Sequence, residues 1–127
     1  MTHNEISSIV IDVALDIHRK LGPGLLENVY QEIMVYELQK RDLQVDKEVA
    51  VTVKWEDVTI GSGFKADLLV EDKVIVELKS IEKLAPVHKK QLLTYLRLAD
   101  KRLGLLINFG EELLKDGLVR LVNKLEE

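Results

Sequence analysis

The sequence contains no cysteine. Disulfides and thiolate metal sites are therefore excluded, and any bound metal must use Asp, Glu, His or main-chain oxygen. Aromatic residues make up only 5% of the chain, and the single tryptophan, Trp55, reads as a packing residue. No apolar run approaches the ~18 residues of a membrane-crossing helix. The first residues also lack the apolar core of a signal peptide. No membrane partner and a cytoplasmic setting are the resulting expectations. Repeats, linkers and low-complexity segments are missing, as are a Gly-rich phosphate loop, a nucleophile elbow and zinc-ligand spacing. The chain has no overall basic charge either. Its net charge of -4 argues against strong non-specific binding to nucleic acid, which phosphate neutralisation drives.

What is present suits one globular domain spanning residues 1–127, with 46% hydrophobic and 31% charged residues. Charge is unevenly spread. Lys79, Lys83, Lys89, Lys90, Arg97, Lys101 and Arg102 face only Glu82 and Asp100 between residues 79 and 102. Such a segment either lines a phosphate-facing edge or is a solvated helix face.

Apolar periodicity orders the elements. Ile6, Ile9, Val10, Val13, Ala14 and Ile17 share one stripe of a helix over 5–20, with Thr2 and Glu5 spaced as a capping box. His18 falls off that stripe and is expected to be solvated or locally bonded. Leu21-Gly22-Pro23-Gly24 turns the chain into a second helix from about Leu26 to Arg41, with Val29, Ile33, Met34, Tyr36 and Leu38 as its apolar cover. Glu27 falls in its first turn, where an acid complements the helix dipole or faces a site. Tyr30 lies one turn on, on the same side.

The period then shortens to two over residues 45–55. Gly61-Ser62-Gly63 leads into the next strand. Pro86 opens a third helix to about Ala99. On it His88, Gln91 and Tyr95 stand at i, i+3 and i+7, so Gln91 and Tyr95 meet on one face. Leu103 to Phe109 reads as a buried strand, parallel to the one before the helix. Leu118, Arg120 and Val122 suggest a short edge strand.

The chemistry concentrates in residues 64–79. Phe64, Ala66, Leu68 and Val70 alternate to one side, followed on the return by Val74, Val76 and Leu78. The other side then carries Lys65, Asp67, Leu69, Ile75, Glu77 and Lys79. A three-residue loop, Glu71-Asp72-Lys73, sets Leu68 opposite Val76 and Asp67 opposite Glu77, whereas a two-residue turn would flip one strand's faces. Two carboxylates so close call for a hard divalent cation such as Mg2+. Lys79, two residues after Glu77, shares its face and could position water or stabilise charge on a phosphate. The competing reading is a surface hairpin with an ordinary cross-strand Asp/Lys pair.

Taken in order, the motifs resemble the PD-(D/E)XK nuclease superfamily. More narrowly they resemble the bacterial GxxExxY proteins. The matching residues are Gly24-Leu-Leu-Glu27-Asn-Val-Tyr30, Ala66-Asp67-Leu68-Leu69-Val70, Val76-Glu77-Leu78-Lys79, His88 with Gln91-Leu-Leu-Thr-Tyr95, and Leu105-Leu106-Ile107-Asn108-Phe109-Gly110. The resemblance implies an α/β (α+β) restriction-endonuclease-like core, a mixed central sheet flanked by helices in the order α-α-β-β-β-α-β-β. It implies hydrolysis of phosphodiester bonds with Mg2+ or Mn2+, and a nucleic-acid partner with DNA ranked ahead of RNA. Asp67, Glu77 and Lys79 would be catalytic. Asp67, Glu77 and Glu27 would hold metal, while Gln91, Tyr95, His88 and Tyr30 would support the site or substrate. Ala66 stands where the superfamily name has proline, a position that touches no metal. The alternative function is a non-catalytic nuclease-fold module binding nucleic acid, nucleotide or a protein partner. A homodimer formed through the last strand is a third expectation.

Overall fold

The computed structural model describes residues 1–127, the side chain of Ser62 excepted. The elements follow the expected order: α1 (His3–Leu21), α2 (Glu27–Lys40), β1 (Val45–Trp55), β2 (Val58–Val70), β3 (Val74–Lys79), α3 (Pro86–Ala99), β4 (Leu103–Asn108) and β5 (Leu118–Val122), with a 3-10 turn at Leu114–Gly117. The five strands form one mixed sheet in the order β1-β2-β3-β4-β5, in which only β3 and β4 are parallel. No helix is long and apolar enough to cross a membrane.

Helix α1 starts where its capping box places it. The Thr2 hydroxyl accepts from the Glu5 amide at 3.1 Å, and a Glu5 carboxylate oxygen accepts from the Thr2 amide at 2.9 Å. Helix α3 begins at Pro86, whose missing N–H costs nothing in a first turn. The sheet separates two apolar layers. On one side α1 and α2 cover Leu68, Val70, Val74, Val76, Leu78, Leu103, Leu105 and Ile107. On the other, Leu92 and Leu96 of α3 cover Phe64, Ala66, Leu69, Ile75 and Leu106.

Those layers correct the expected alternation of β2. Phe64 and Ala66 lie on the α3 side, whereas Leu68 and Val70 lie on the α1/α2 side. Strand β1 slips with it, since Val45 packs with the first layer and Val49 and Val51 with the second. The ladder skips one step between Lys47–Leu68 and Val49–Ala66, at Glu48 and Asp67. Glu48 adopts φ +52°, a left-handed conformation that breaks simple two-residue alternation.

Other expectations are also revised. Strand β2 runs back through Gly61–Gly63 to Val58, with a bulge opposite the Val51–Val53 segment. Gly63 fits there because a Cβ would lie 2.1 Å from Val53 Cγ2. Trp55, expected in packing, is exposed, as is Tyr36 on α2. The buried side of α2 is Tyr30, Gln31, Met34 and Leu38, which includes two polar-tipped residues that an apolar pattern does not count. His18 is buried rather than solvated. Its Nε2 is 2.8 Å from the Glu111 carbonyl oxygen, and its ring lies beside Phe109.

Candidate active site

The β2–β3 connection has the expected register. Leu68 pairs with Val76, Leu69 with Ile75 and Val70 with Val74, leaving Glu71-Asp72-Lys73 as the loop. The ladder ends at Leu68–Val76, so Asp67 is released from main-chain pairing with Glu77. Its carboxylate replaces the missing partner: Asp67 Oδ2 accepts from the Leu78 amide at 2.8 Å. The slip in β2 and the end of its ladder therefore coincide at one residue and turn its side chain across to β3.

Glu77 is largely buried beside it. Its Oε1 has no hydrogen-bond partner and is the one buried orphan side-chain atom among the described residues. Its pKa is pushed up to about 9, chiefly by burial, then by the Asp67 charge and an Asp67–Glu77 side-chain hydrogen bond, with Lys79 opposing. Burial and a neighbouring like charge both favour the neutral form of Glu77.

Lys79 lies two residues on, half-buried on β3. Glu27, at the first turn of α2, reaches the same field. Its carboxyl is raised by partial burial and by Asp67, while Lys79 acts oppositely. Two contacts deliver Glu27 there. The Ser80 hydroxyl donates to the Leu25 carbonyl oxygen at 2.5 Å. The Tyr30 hydroxyl donates to the Gly22 carbonyl oxygen at 2.5 Å and accepts from the Leu25 amide. Tyr30 is fully buried and its ring stacks on Phe109 at 4.2 Å, so it shapes the α1–α2 turn without presenting a group to the acids.

From α3, Tyr95 and Gln91 approach the other flank. Burial and the charge of Glu77 raise the Tyr95 hydroxyl, and a side-chain hydrogen bond to Gln91 opposes that shift. The Tyr95 ring stacks on Phe64 at 3.8 Å. His88 is turned to a different task. Its Nδ1 accepts from the Ala85 amide at 2.9 Å and caps the start of α3. The structure thus brings Glu27, Asp67, Glu77, Lys79, Gln91 and Tyr95 toward one field, and turns the Tyr30 hydroxyl and His88 Nδ1 to main-chain groups.

Two contributors escaped the sequence reading. Gln31, buried on α2, donates from Nε2 to the Asp67 carbonyl oxygen at 3.1 Å. Asn108, fully buried at the end of β4, accepts at Oδ1 from the Ile81 and Gly110 amides and donates from Nδ2 to the Ile81 carbonyl oxygen. It fastens the chain just beyond Lys79. An apolar-period analysis has no signal for either residue. A polar residue inside an otherwise buried face is the mark that finds them.

The donor set suits a hard cation. Asp67 and Glu77 offer only carboxylate oxygen, and the unpartnered Glu77 Oε1 is an acceptor without a positive partner. Among the described residues no three His, Asp or Glu side chains converge as a closed metal cage. A pair of ligands with room for other oxygens is the form Mg2+ accepts, since it retains waters and substrate phosphate oxygens.

A family model described as the PD-(D/E)XK nuclease superfamily matches residues 4–121. No curated protein and no solved structure gave a match.

Proposed function

Because the chain belongs to the PD-(D/E)XK nuclease superfamily, we propose that it is a nuclease dependent on Mg2+ or Mn2+ that hydrolyses phosphodiester bonds in nucleic acid. The observation that carries the reading is the half-buried Asp67–Glu77 pair, with Glu77 Oε1 unpartnered and its acid raised to about 9. The restriction-endonuclease-like order of elements around that pair supports it. So does the segment Gly24-Leu-Leu-Glu27-Asn-Val-Tyr30, which keeps the narrower likeness to GxxExxY proteins.

In this reading Asp67 and Glu77 hold the ion, with Glu27 as an additional acid at the rim. When bound, the ion neutralises the two carboxylates and polarises a phosphate oxygen. The amide of Leu78 fixes the orientation of Asp67. Lys79, on the Glu77 face of β3, positions the attacking water and stabilises charge developing on the phosphate. Gln91 and Tyr95 hold the substrate from the α3 side. Residues 1–127 act as one nuclease-like domain, with DNA ahead of RNA as target.

Incubation of the protein with single- and double-stranded DNA and RNA plus Mg2+ or Mn2+ tests this reading. Cleavage by the wild type that Glu77→Ala abolishes is expected. No cleavage of any substrate, or equal cleavage by the variant, rejects it. The net charge of -4 favours a second reading, a nuclease fold kept as a binding module. Calorimetric titration with Mn2+ separates the two, because a divalent site lost in Asp67→Ala counts against a purely structural pair.

A further inference from the structure

The β1–β2 hairpin runs beyond the body of the sheet. Strand β2 has 13 residues, yet only Leu68, Leu69 and Val70 pair with β3. Its earlier part, from Val58 to Ala66, has β1 as its partner. The result is a two-stranded arm with Glu56 and Asp57 at its tip.

The far end of this arm is apolar and uncovered. Trp55 is 64% exposed, Val58 59% and Ile60 49%. Trp55 is paired with Val58 and Val53 with Ile60, so each pair presents its side chains on one face. Val53 and Trp55 are two apart on one strand, which puts both pairs on the same face. A contiguous exposed apolar face of this kind marks an interaction site.

Charge identifies the partner. Between Val53 and Ile60 the arm carries Glu56 and Asp57 against Lys54. That balance opposes a phosphate backbone, which requires net positive charge. It complements another surface of this chain. On α3, Val87, Lys90, Thr94, Arg97 and Leu98 are all exposed and fall on the outward face at helical spacing. That face combines apolar and basic groups, as the arm combines apolar and acidic ones.

We propose that the arm is a self-association element, which docks its Trp55–Val58–Ile60 face on Val87 and Leu98 of α3 in a second copy. Glu56 and Asp57 then face Lys90 and Arg97 of that copy. Two copies that exchange arms reciprocally close as a symmetric dimer, whereas a head-to-tail series would grow into a filament. The proposal is independent of the nuclease reading, because it uses none of the site's acids.

Sedimentation velocity of the full chain, over a range of concentrations, tests it. The wild type is expected to sediment as a dimer. Trp55→Glu and, separately, the double variant Lys90→Glu/Arg97→Glu are expected to be monomers with unchanged circular dichroism. Combining Lys90→Glu/Arg97→Glu with Glu56→Lys/Asp57→Lys is expected to restore the dimer. A wild type that stays monomeric overturns the proposal, as does a dimer that survives both disruptions. A monomer whose binding to single-stranded DNA needs Trp55 also overturns it and assigns the arm to nucleic acid. Should Trp55→Glu fail to fold, the α3 variants alone decide the question.

Discussion

Gln31 Nε2 donates to the carbonyl oxygen of Asp67 across 3.1 Å, from a side chain only 8% exposed. The bond ties helix α2 to β2 at the residue where the ladder to β3 has ended and the strand changes faces. Asp67 is thus held at both ends, its carbonyl by Gln31 and its carboxylate by the Leu78 amide.

Replacing Gln31 by leucine removes a buried donor and leaves a carbonyl oxygen unpaired, at a cost of about 1–3 kcal/mol. Urea unfolding should show that loss. Mn2+ affinity, measured by calorimetry under conditions where the variant is folded, should fall as well. An unchanged affinity would make the bond a matter of stability alone.

The raised Glu77 acid fixes a sign for pH dependence. A folded-state pKa of about 9 against an ordinary 4.5 means that the folded form favours the protonated acid. That contribution is fully present below pH 4.5 and is lost progressively as pH rises through about 9. Thermal melts in chelator should therefore lose stability over that window, and Glu77→Gln should flatten the slope. Added Mg2+ should oppose the loss, since binding to the folded form alone stabilises it. A slope equal in wild type and Glu77→Gln would assign the dependence to other groups.

Glu127 gives the opposite case at the acid end. Its carboxylate is held down to about 2, mainly by the His3 side chain and then by the His3 and Asn4 amides at the start of α1. Stability from this contact is present above the ordinary value of 4.5 and is lost as pH falls through about 2. Glu127→Gln should lower the melting temperature at neutral pH, with the difference from wild type shrinking in strong acid.

Gly110 tolerates no side chain. A Cβ there would sit 1.9 Å from the Ile81 carbonyl oxygen, a main-chain atom that has little room to move. Gly110→Ala should cost about 1–3 kcal/mol or more through strain in a packed region, and chemical denaturation will measure it. Asn108→Ala should cost about as much by a different route, because three main-chain groups lose their partner. Either change should also displace the segment beyond Lys79 and lower any cleavage activity at temperatures where the protein remains folded.

Where physics repeats with a short period, the sequence was enough. The stripe of α1, Pro86 at the start of α3, the buried run of β4 and the Glu71-Asp72-Lys73 loop all appear where residue pattern places them. That loop length sets Leu68 opposite Val76, while Asp67 reaches β3 only through its bond to the Leu78 amide. The sequence was silent where one residue departs from the period. Glu48 is an ordinary glutamate in composition, yet it takes a positive φ at the step where β1 changes faces, opposite the same change in β2. His18, Gln31 and Asn108 are polar groups whose partners lie in distant segments, so no local pattern announces their burial. Trp55 misled for the converse reason, as hydrophobicity alone does not say which apolar residue finds cover.

The crossing of β2 from one layer to the other restricts how this chain can change in length. Deleting or inserting a residue between Phe64 and Val70 would exchange the side chains owed to the two helical layers and carry Asp67 away from Leu78. Additions at the Glu56–Asp57 tip disturb neither layer. Variation in size among proteins built on this plan should therefore gather at the end of the arm and leave the stretch beside the acids uniform.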